Sequence, residues 1–237
     1  MPKTNAAPAA RYPQLLNQLE AADREWLLSR CSKREIPRYG LVFSQNEPIN
    51  EVFVIHSGRV KAYYTTSEGQ TITFAYWLEG MLMGVPGVSL DFKHMWTAEA
   101  VTPTTLLRFT RGDLNTVIDR SISAAKAVIE ILEFKTKYLS RLTQLLATAP
   151  VLERLRVVLA NLCELYGVPV DDGMRIDLPL THADIGDMVG ASRQWVTISF
   201  GRLERAGIVR VRNRQITVLA RENLADTLGK VLGASKT

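Results

Sequence analysis

The sequence predicts an α+β protein in three parts: a β-rich N-terminal half, one long helix and a C-terminal winged helix-turn-helix. Three observations carry this. Between about 35 and 110, short β-prone runs alternate with glycines. From 113 to 148 an apolar stripe recurs at helical spacing until Ala149-Pro150 stops it. Residues 178–218 then read as strand, short helix, Gly turn, long helix and basic hairpin.

Taken in order, residues 1–13 (MPKTNAAPAARYP) hold no apolar run long enough for a signal peptide and read as a loose tail. Leu15, Leu16, Leu19, Trp26 and Leu27 recur at helical spacing, predicting a helix over 14–31. The β-like runs are Leu41–Ser44, Glu51–His56, Arg59–Thr66, Thr71–Trp77, Trp96–Ala100 and Leu106–Phe109. Gly40, Gly58, Gly69, Gly80 and Gly84 punctuate them, with hairpin turns expected at Ser57-Gly58 and Glu68-Gly69. Many short strands with such turns imply a closed or sandwiched β structure, here assigned to 14–112. Gly112-Asp113 opens the long helix, 113–148. Ala124, Ala127, Ile131, Phe134, Tyr138, Leu142 and Leu145 follow each other at spacings of 3, 4, 3, 4, 4 and 3. A helix of this kind crosses its own domain or pairs with a twin. A two-fold pair through 124–145 is expected, because a helix-turn-helix normally reads two half-sites. A hinge at 149–150 follows, then a C-terminal domain over 151–237 that opens with an amphipathic helix, 151–166.

Within 178–218, Thr181 is placed to cap the first helix. Ile185, Met188 and Val189 share its buried face, and Gly190 takes the left-handed turn that ends it. Ser192 caps the second helix, whose buried side is Val196, Phe200, Leu203 and Ile208. Arg193, Gln194, Thr197 and Gly201 fall on the other side. Arg can donate two hydrogen bonds to guanine O6 and N7, and Gln can pair with adenine N6 and N7. Between 191 and 221 seven Arg face one acid, Glu204, a local net charge of +6. Arg210, Arg212 and Arg214 alternate along the wing, with Asn213 at its tip. Charge of this kind neutralises phosphates and releases counterions. Double-stranded DNA is the expected partner. Arg193 and Gln194 would read bases with Thr197 assisting, and Thr181, Ser192, Arg202, Arg212 and Arg214 would hold phosphates.

Composition narrows the class. The 237 residues are 46% hydrophobic and 22% charged, with a net charge of only +5, so the basic character is local. Two cysteines, Cys31 and Cys163, make neither a disulfide framework nor a CxxC metal site, which favours a reducing, cytoplasmic home. No run of 18 or more apolar residues suggests a membrane span. Nucleophile elbow, P-loop, metal cluster and dinucleotide fingerprint are all missing, so no catalysis is expected.

The order of parts resembles the CRP/FNR family of bacterial transcription regulators, over about residues 15–225. The matching motifs are Tyr39-Gly40, Glu51-Val52-Phe53-Val54-Ile55 with Ser57-Gly58, the Gly80…Gly84 loop, and Asp184-Ile185-Gly186…Gly190-Ala191-Ser192-Arg193…Val196. The resemblance implies a cyclic-nucleotide-binding-like β-roll and a homodimer on a pseudo-palindromic site. It also implies an effector between roll and long helix, and RNA polymerase as a further partner.

The sequence departs from the family where specificity lies. Val85 stands where cyclic-AMP-binding members have Glu, and His94-Met95 where an Arg-Ser pair clamps the phosphate. Cys31 alone cannot hold an iron–sulfur cluster. The candidate effector lining is Tyr63, Phe74, Tyr76, Gly84, Val85, Met95 and Trp96 from the roll, with Met83, and Ile131, Lys135, Tyr138 and Leu139 from the helix. Such a lining suits an apolar or aromatic molecule, such as an aromatic acid anchored by Lys135; the same side chains would also serve simply to fill the roll. Haem or redox gas sensing, with His56, His94 or a Met as ligand, and a cyclic-nucleotide regulator with a divergent pocket are the alternatives. A sensor whose winged helix binds protein is a third, disfavoured by the basic 191–221 surface. In the reading helix, Gln194 and Ile198 replace the family's usual Glu and Arg, so the half-site should differ from the common one.

Overall fold

Side-chain alternation along two central strands sets the N-terminal architecture. In β3 (Glu51–Ser57), Val52 and Val54 point one way, Phe53 and Ile55 the other, and all four are buried. β8 (Thr104–Thr110) repeats this, with Leu107 and Phe109 opposite Leu106. Val52, Val54, Leu107 and Phe109 pack against helices, in one core cluster with Leu15, Leu27, Leu114, Val117, Ala124, Ala127 and Ile131. Phe53, Ile55 and Leu106 join a second cluster with Phe43, Ala62, Trp77 and Ala98 of the facing sheet. A strand buried on both faces reads as a continuous apolar run, which is how EVFVI reads.

This computed structural model describes residues 12–84, 93–213, 215–220 and 224. The tail up to Arg11, together with Val85, Arg214 and Arg221, lies outside them. The roll consists of two four-stranded sheets. One runs β1 (Ser32–Ile36), β8, β3, β6 (Leu82–Met83). The other runs β2 (Leu41–Phe43), β7 (Thr97–Ala100), β4 (Val60–Thr65), β5 (Thr71–Trp77). Helices α1 (Leu15–Gln18) and α2 (Ala21–Arg30) precede them. The single helix expected over 14–31 is thus broken, because Leu19 and Glu20 are extended.

The long helix also differs from expectation. α3 (Arg111–Arg120) is separate from α4 (Ile122–Thr148). Ser121 between them is extended, and its hydroxyl accepts from the Ala124 N–H at 3.3 Å, capping α4. The N-terminal part of the stripe that the sequence offered as a pairing face packs on its own roll: Ala124, Ala127 and Ile131 are within 2% of full burial, and Phe134 and Tyr138 pack against the inter-sheet core. The outward face of α4 is a different one, with Ile122 78%, Ile129 61% and Leu132 40% exposed.

Contact density divides the chain into two units near Tyr138. In the second, α5 (Val151–Tyr166) buries Leu155, Val158, Leu159 and Leu162. β9 (Gly167–Val170) and β10 (Gly173–Ile176) follow, then α6 (His182–Val189), α7 (Arg193–Arg205), β11 (Val209–Arg212) and β12 (Gln215–Val218). The four strands form one antiparallel sheet, ordered β11-β12-β10-β9. Among the described residues no helix is long and apolar enough to cross a membrane.

Candidate nucleic-acid interface and effector pocket

The two helices of the C-terminal unit are fixed by their ends. Thr181 and Asp184 form a reciprocal capping box on α6. Gly190, at φ 66°, closes α6 in the left-handed conformation, and Ser192 caps α7 by accepting from the Trp195 N–H at 3.2 Å. The α6–α7 turn is tight: a Cβ on Gly186 would sit 2.5 Å from the Ala191 carbonyl oxygen. Arg154 of α5 donates to Val189 O at 3.2 Å, satisfying a C-terminal carbonyl of α6.

α7 then presents two faces. Val196, Ser199, Phe200 and Leu203 are buried; Arg193, Gln194, Thr197, Ile198 and Arg202 are exposed. Beyond it, β11 and β12 pair from Val209–Val218 to Arg212–Gln215. Asn213 takes φ 50° at the tip, a conformation that Asn tolerates better than most residues. Glu204, the one acid of this segment, is used internally: its Oε1 accepts from the Val211 N–H at 2.8 Å, tying wing to helix. Arg210 forms a bidentate pair with Asp172 of the β9–β10 turn, which leaves Arg212 as the exposed wing cation among the described residues.

The hydroxyls differ in what they can still do. Thr181 Oγ1 donates to Asp184 Oδ2 at 2.6 Å, so its proton is already committed. Ser192 Oγ only accepts in its cap, which leaves its proton available to a phosphate. Thr197 Oγ1 donates to Arg193 O at 2.9 Å and lies 2.8 Å from His182 Nδ1. With that proton spent on a carbonyl, we assign the remaining one to His182 Nδ1, which donates to Thr197. The His182 ring stacks on buried Phe200 at 5.0 Å and 12°. Burial, then the positive Arg193, lowers the His182 pKa, with Glu204 opposing, so the ring is neutral near pH 7. Sequence reasoning missed His182, because its link to Thr197 spans two helices and has no signature in spacing. A cleft of about 510 Å3 opens here, between Thr181 and His182 at the start of α6, Arg193, and Val211 and Ile216 of the wing.

In the N-terminal unit the proposed effector residues separate. Phe74 and Trp96 meet edge to face at 6.1 Å, and Tyr138 lies tilted against Trp77 at 6.3 Å; Trp77 belongs to the inter-sheet core, and the other three pack at its margin. Tyr138 donates its hydroxyl proton to Phe74 O at 2.8 Å, and burial pushes its pKa up to about 12. Lys135 donates to Leu82 O at 2.8 Å and lies 5.5 Å from the Trp77 ring centroid. The residue as a whole is only partly buried, but desolvation of its ammonium group lowers the pKa to about 8. Four residues do not join this group. Ile131 lies in the other core cluster, under the helices. Met95 is 71% exposed. Tyr63 hydrogen-bonds Glu99 at 3.2 Å, and burial with that carboxylate raises its pKa. Leu139 is half-buried on α4. Tyr76 and Met83 are buried, Met83 within the inter-sheet core, and Gly84 turns the chain at φ 88°. His94 stacks flat on Phe43 at 3.7 Å and is 6% exposed; burial lowers its pKa, so it carries no charge near neutrality.

Comparison with known proteins converges on this architecture. A Crp-like helix-turn-helix domain model matches residues 153–227, and a cyclic nucleotide-binding domain model matches residues 33–121. Regulatory protein HlyX of Actinobacillus pleuropneumoniae is 21% identical over 206 residues, covering 87% of this chain and 85% of its own. The global nitrogen regulator of a Synechocystis strain is 27% identical over 179 residues, covering 75% and 80%. The structure of FixK2 from Bradyrhizobium japonicum shares the fold, with TM-score 0.74 at 21% identity over 83% of this chain and 96% of that one. A β-roll joined to a winged helix-turn-helix defines a class of DNA-binding transcription regulators. Within that class, the chain belongs to the CRP/FNR family.

Proposed function

We propose that this regulator works as a cytoplasmic homodimer on a pseudo-palindromic site, and that a small anionic aromatic molecule, not a cyclic nucleotide, controls it from the roll side of α4. It acts without catalysis and in concert with RNA polymerase. On α7, Arg193 and Gln194 read base edges, while Ser192, Arg202 and Arg212 hold phosphates. The dimer seam is the outward face of α4. Ile122, Ala125, Ile129, Leu132, Thr136, Leu139, Thr143 and Leu146 alternate by 3 and 4 along it, an a/d heptad pattern. Ile129 and Leu132 are exposed there, and a twin helix would cover them.

One observation carries the effector reading: the Lys135 ammonium is desolvated beside Trp77, whose ring also meets Tyr138, with a neutral carbonyl as its hydrogen-bond acceptor. No carboxylate among the described residues pairs with it. A carboxylate on an aromatic ring would offset the desolvation while its ring extends the aromatic cluster. A cyclic phosphate finds less here, since His94 is neutral and Met95 turns to solvent at the positions of the family's clamp. The test is thermal unfolding with benzoate or phenylacetate at millimolar concentration, with cyclic AMP alongside. The aryl carboxylates should raise Tm for the unsubstituted chain and not for Lys135→Met. A shift from cyclic AMP alone, or equal shifts in both proteins, would overturn the reading.

A further inference from the structure

Ile198 is 51% exposed, on the face of α7 whose other outward side chains, Arg193, Gln194, Thr197 and Arg202, are all polar. It lies one turn beyond Gln194, so the two share a row about 6 Å apart along the helix. Its neighbour Gly201 leaves the space beside it open: a Cβ there would meet nothing within 4 Å. A β-branched residue in that place serves neither the core nor the helix, since Ile forms helices less readily than Lys, Arg or Gln. In the major groove, base edges offer one apolar group, the C5-methyl of thymine.

We infer that Ile198 is a specificity-determining residue that selects thymine in each half-site by packing on its C5-methyl group. The inference rests on the reading of α7 as the helix in the major groove. From the 6 Å offset and a rise of about 3.4 Å per base pair, the thymine lies one or two base pairs from the position read by Gln194. Burying one methyl group is worth about 0.8 kcal/mol, or roughly a fourfold change in affinity for each half-site.

Deoxyuridine lacks only that methyl group, so it supplies the test. Sites are first selected from a randomised duplex pool with the full-length chain. Each thymine of one half-site is then replaced singly by deoxyuridine, and affinities are measured for the unsubstituted protein and Ile198→Ala. One replacement should weaken the unsubstituted protein about fourfold and change Ile198→Ala by less than twofold. Selection with Ile198→Ala should lose the thymine at that position alone. Equal losses in both proteins, or no thymine whose methyl group matters, would overturn the inference and leave DNA binding standing. Failure to enrich any site would instead sink the reading of α7 on which it rests. Should Ile198→Ala fold poorly, Ile198→Val, keeping part of the contact, should show an intermediate deoxyuridine effect; an unchanged effect would count against the inference.

Discussion

Replacing Lys135 with Met should stabilise the N-terminal unit at neutral pH, and the gain should fade as pH rises. The ammonium group is desolvated, which lowers its pKa from the ordinary 10.5 to about 8. Folding therefore favours the neutral amine. Below pH 8 the folded protein carries the whole cost of holding the charged form, about 3 kcal/mol from that displacement. Between pH 8 and 10.5 the unfolded chain binds the proton more tightly than the folded one, so stability rises. Above 10.5 the cost is gone. Met keeps the aliphatic bulk against Trp77 but leaves Leu82 O without its donor, a loss of about 1–2 kcal/mol. The expected net gain is thus about 1–2 kcal/mol at pH 7, turning to a loss of similar size near pH 10.5. Urea unfolding of both proteins across pH 7–10.5 measures it. A difference that does not vary with pH would show that the Lys135 ammonium group is solvated and would remove the basis for an anionic effector.

Three further outcomes follow from the geometry. Ile129→Asp with Leu132→Asp should yield monomers by sedimentation with the roll intact, whereas Ile131→Ala should cost about 2–5 kcal/mol by denaturation and leave the dimer unchanged; the reverse pattern would return the seam to the buried stripe. Gly186→Ala should destabilise the C-terminal unit by about 1–3 kcal/mol, because its Cβ meets the Ala191 carbonyl, and unchanged urea unfolding would contradict the tight turn. His182→Ala should relax preference at the base pair that Thr197 faces, while His182→Asn, which can place an amide N–H where Nδ1–H stood, should restore it; identical selected motifs would deny His182 a positioning role.

Much of the C-terminal unit was legible because it is built from local signals. Thr181, Gly190 and Ser192 act within their own turns, and the spacing of Val196, Phe200 and Leu203 gives the buried face of α7 directly. The long helix was harder. Periodicity marks Ala124, Ala127 and Ile131 as buried but cannot say against what, and the roll claims them. The outward row proposed as the seam is fainter because Thr136 and Thr143 interrupt it. The break at Ser121 carries neither Gly nor Pro; only its hydroxyl marks it. β1 showed no alternation because four of its five residues are exposed at a sheet edge. In the effector set, Met95 and Ile131 looked equivalent to Trp96 and Tyr138 as apolar side chains, and only the packing separates them.

The central claim is that α7 reads sequence in duplex DNA. It is tested most directly by selecting sites from a randomised duplex pool with the unsubstituted chain and with Arg193→Ala. The unsubstituted protein should enrich two inverted half-sites about one helical turn apart, with affinity falling steeply as salt rises. Arg193→Ala should lose about 1–3 kcal/mol and relax one base pair in each half-site, leaving the others sharp. An unchanged preference in Arg193→Ala, or no enriched site for either protein, would contradict it.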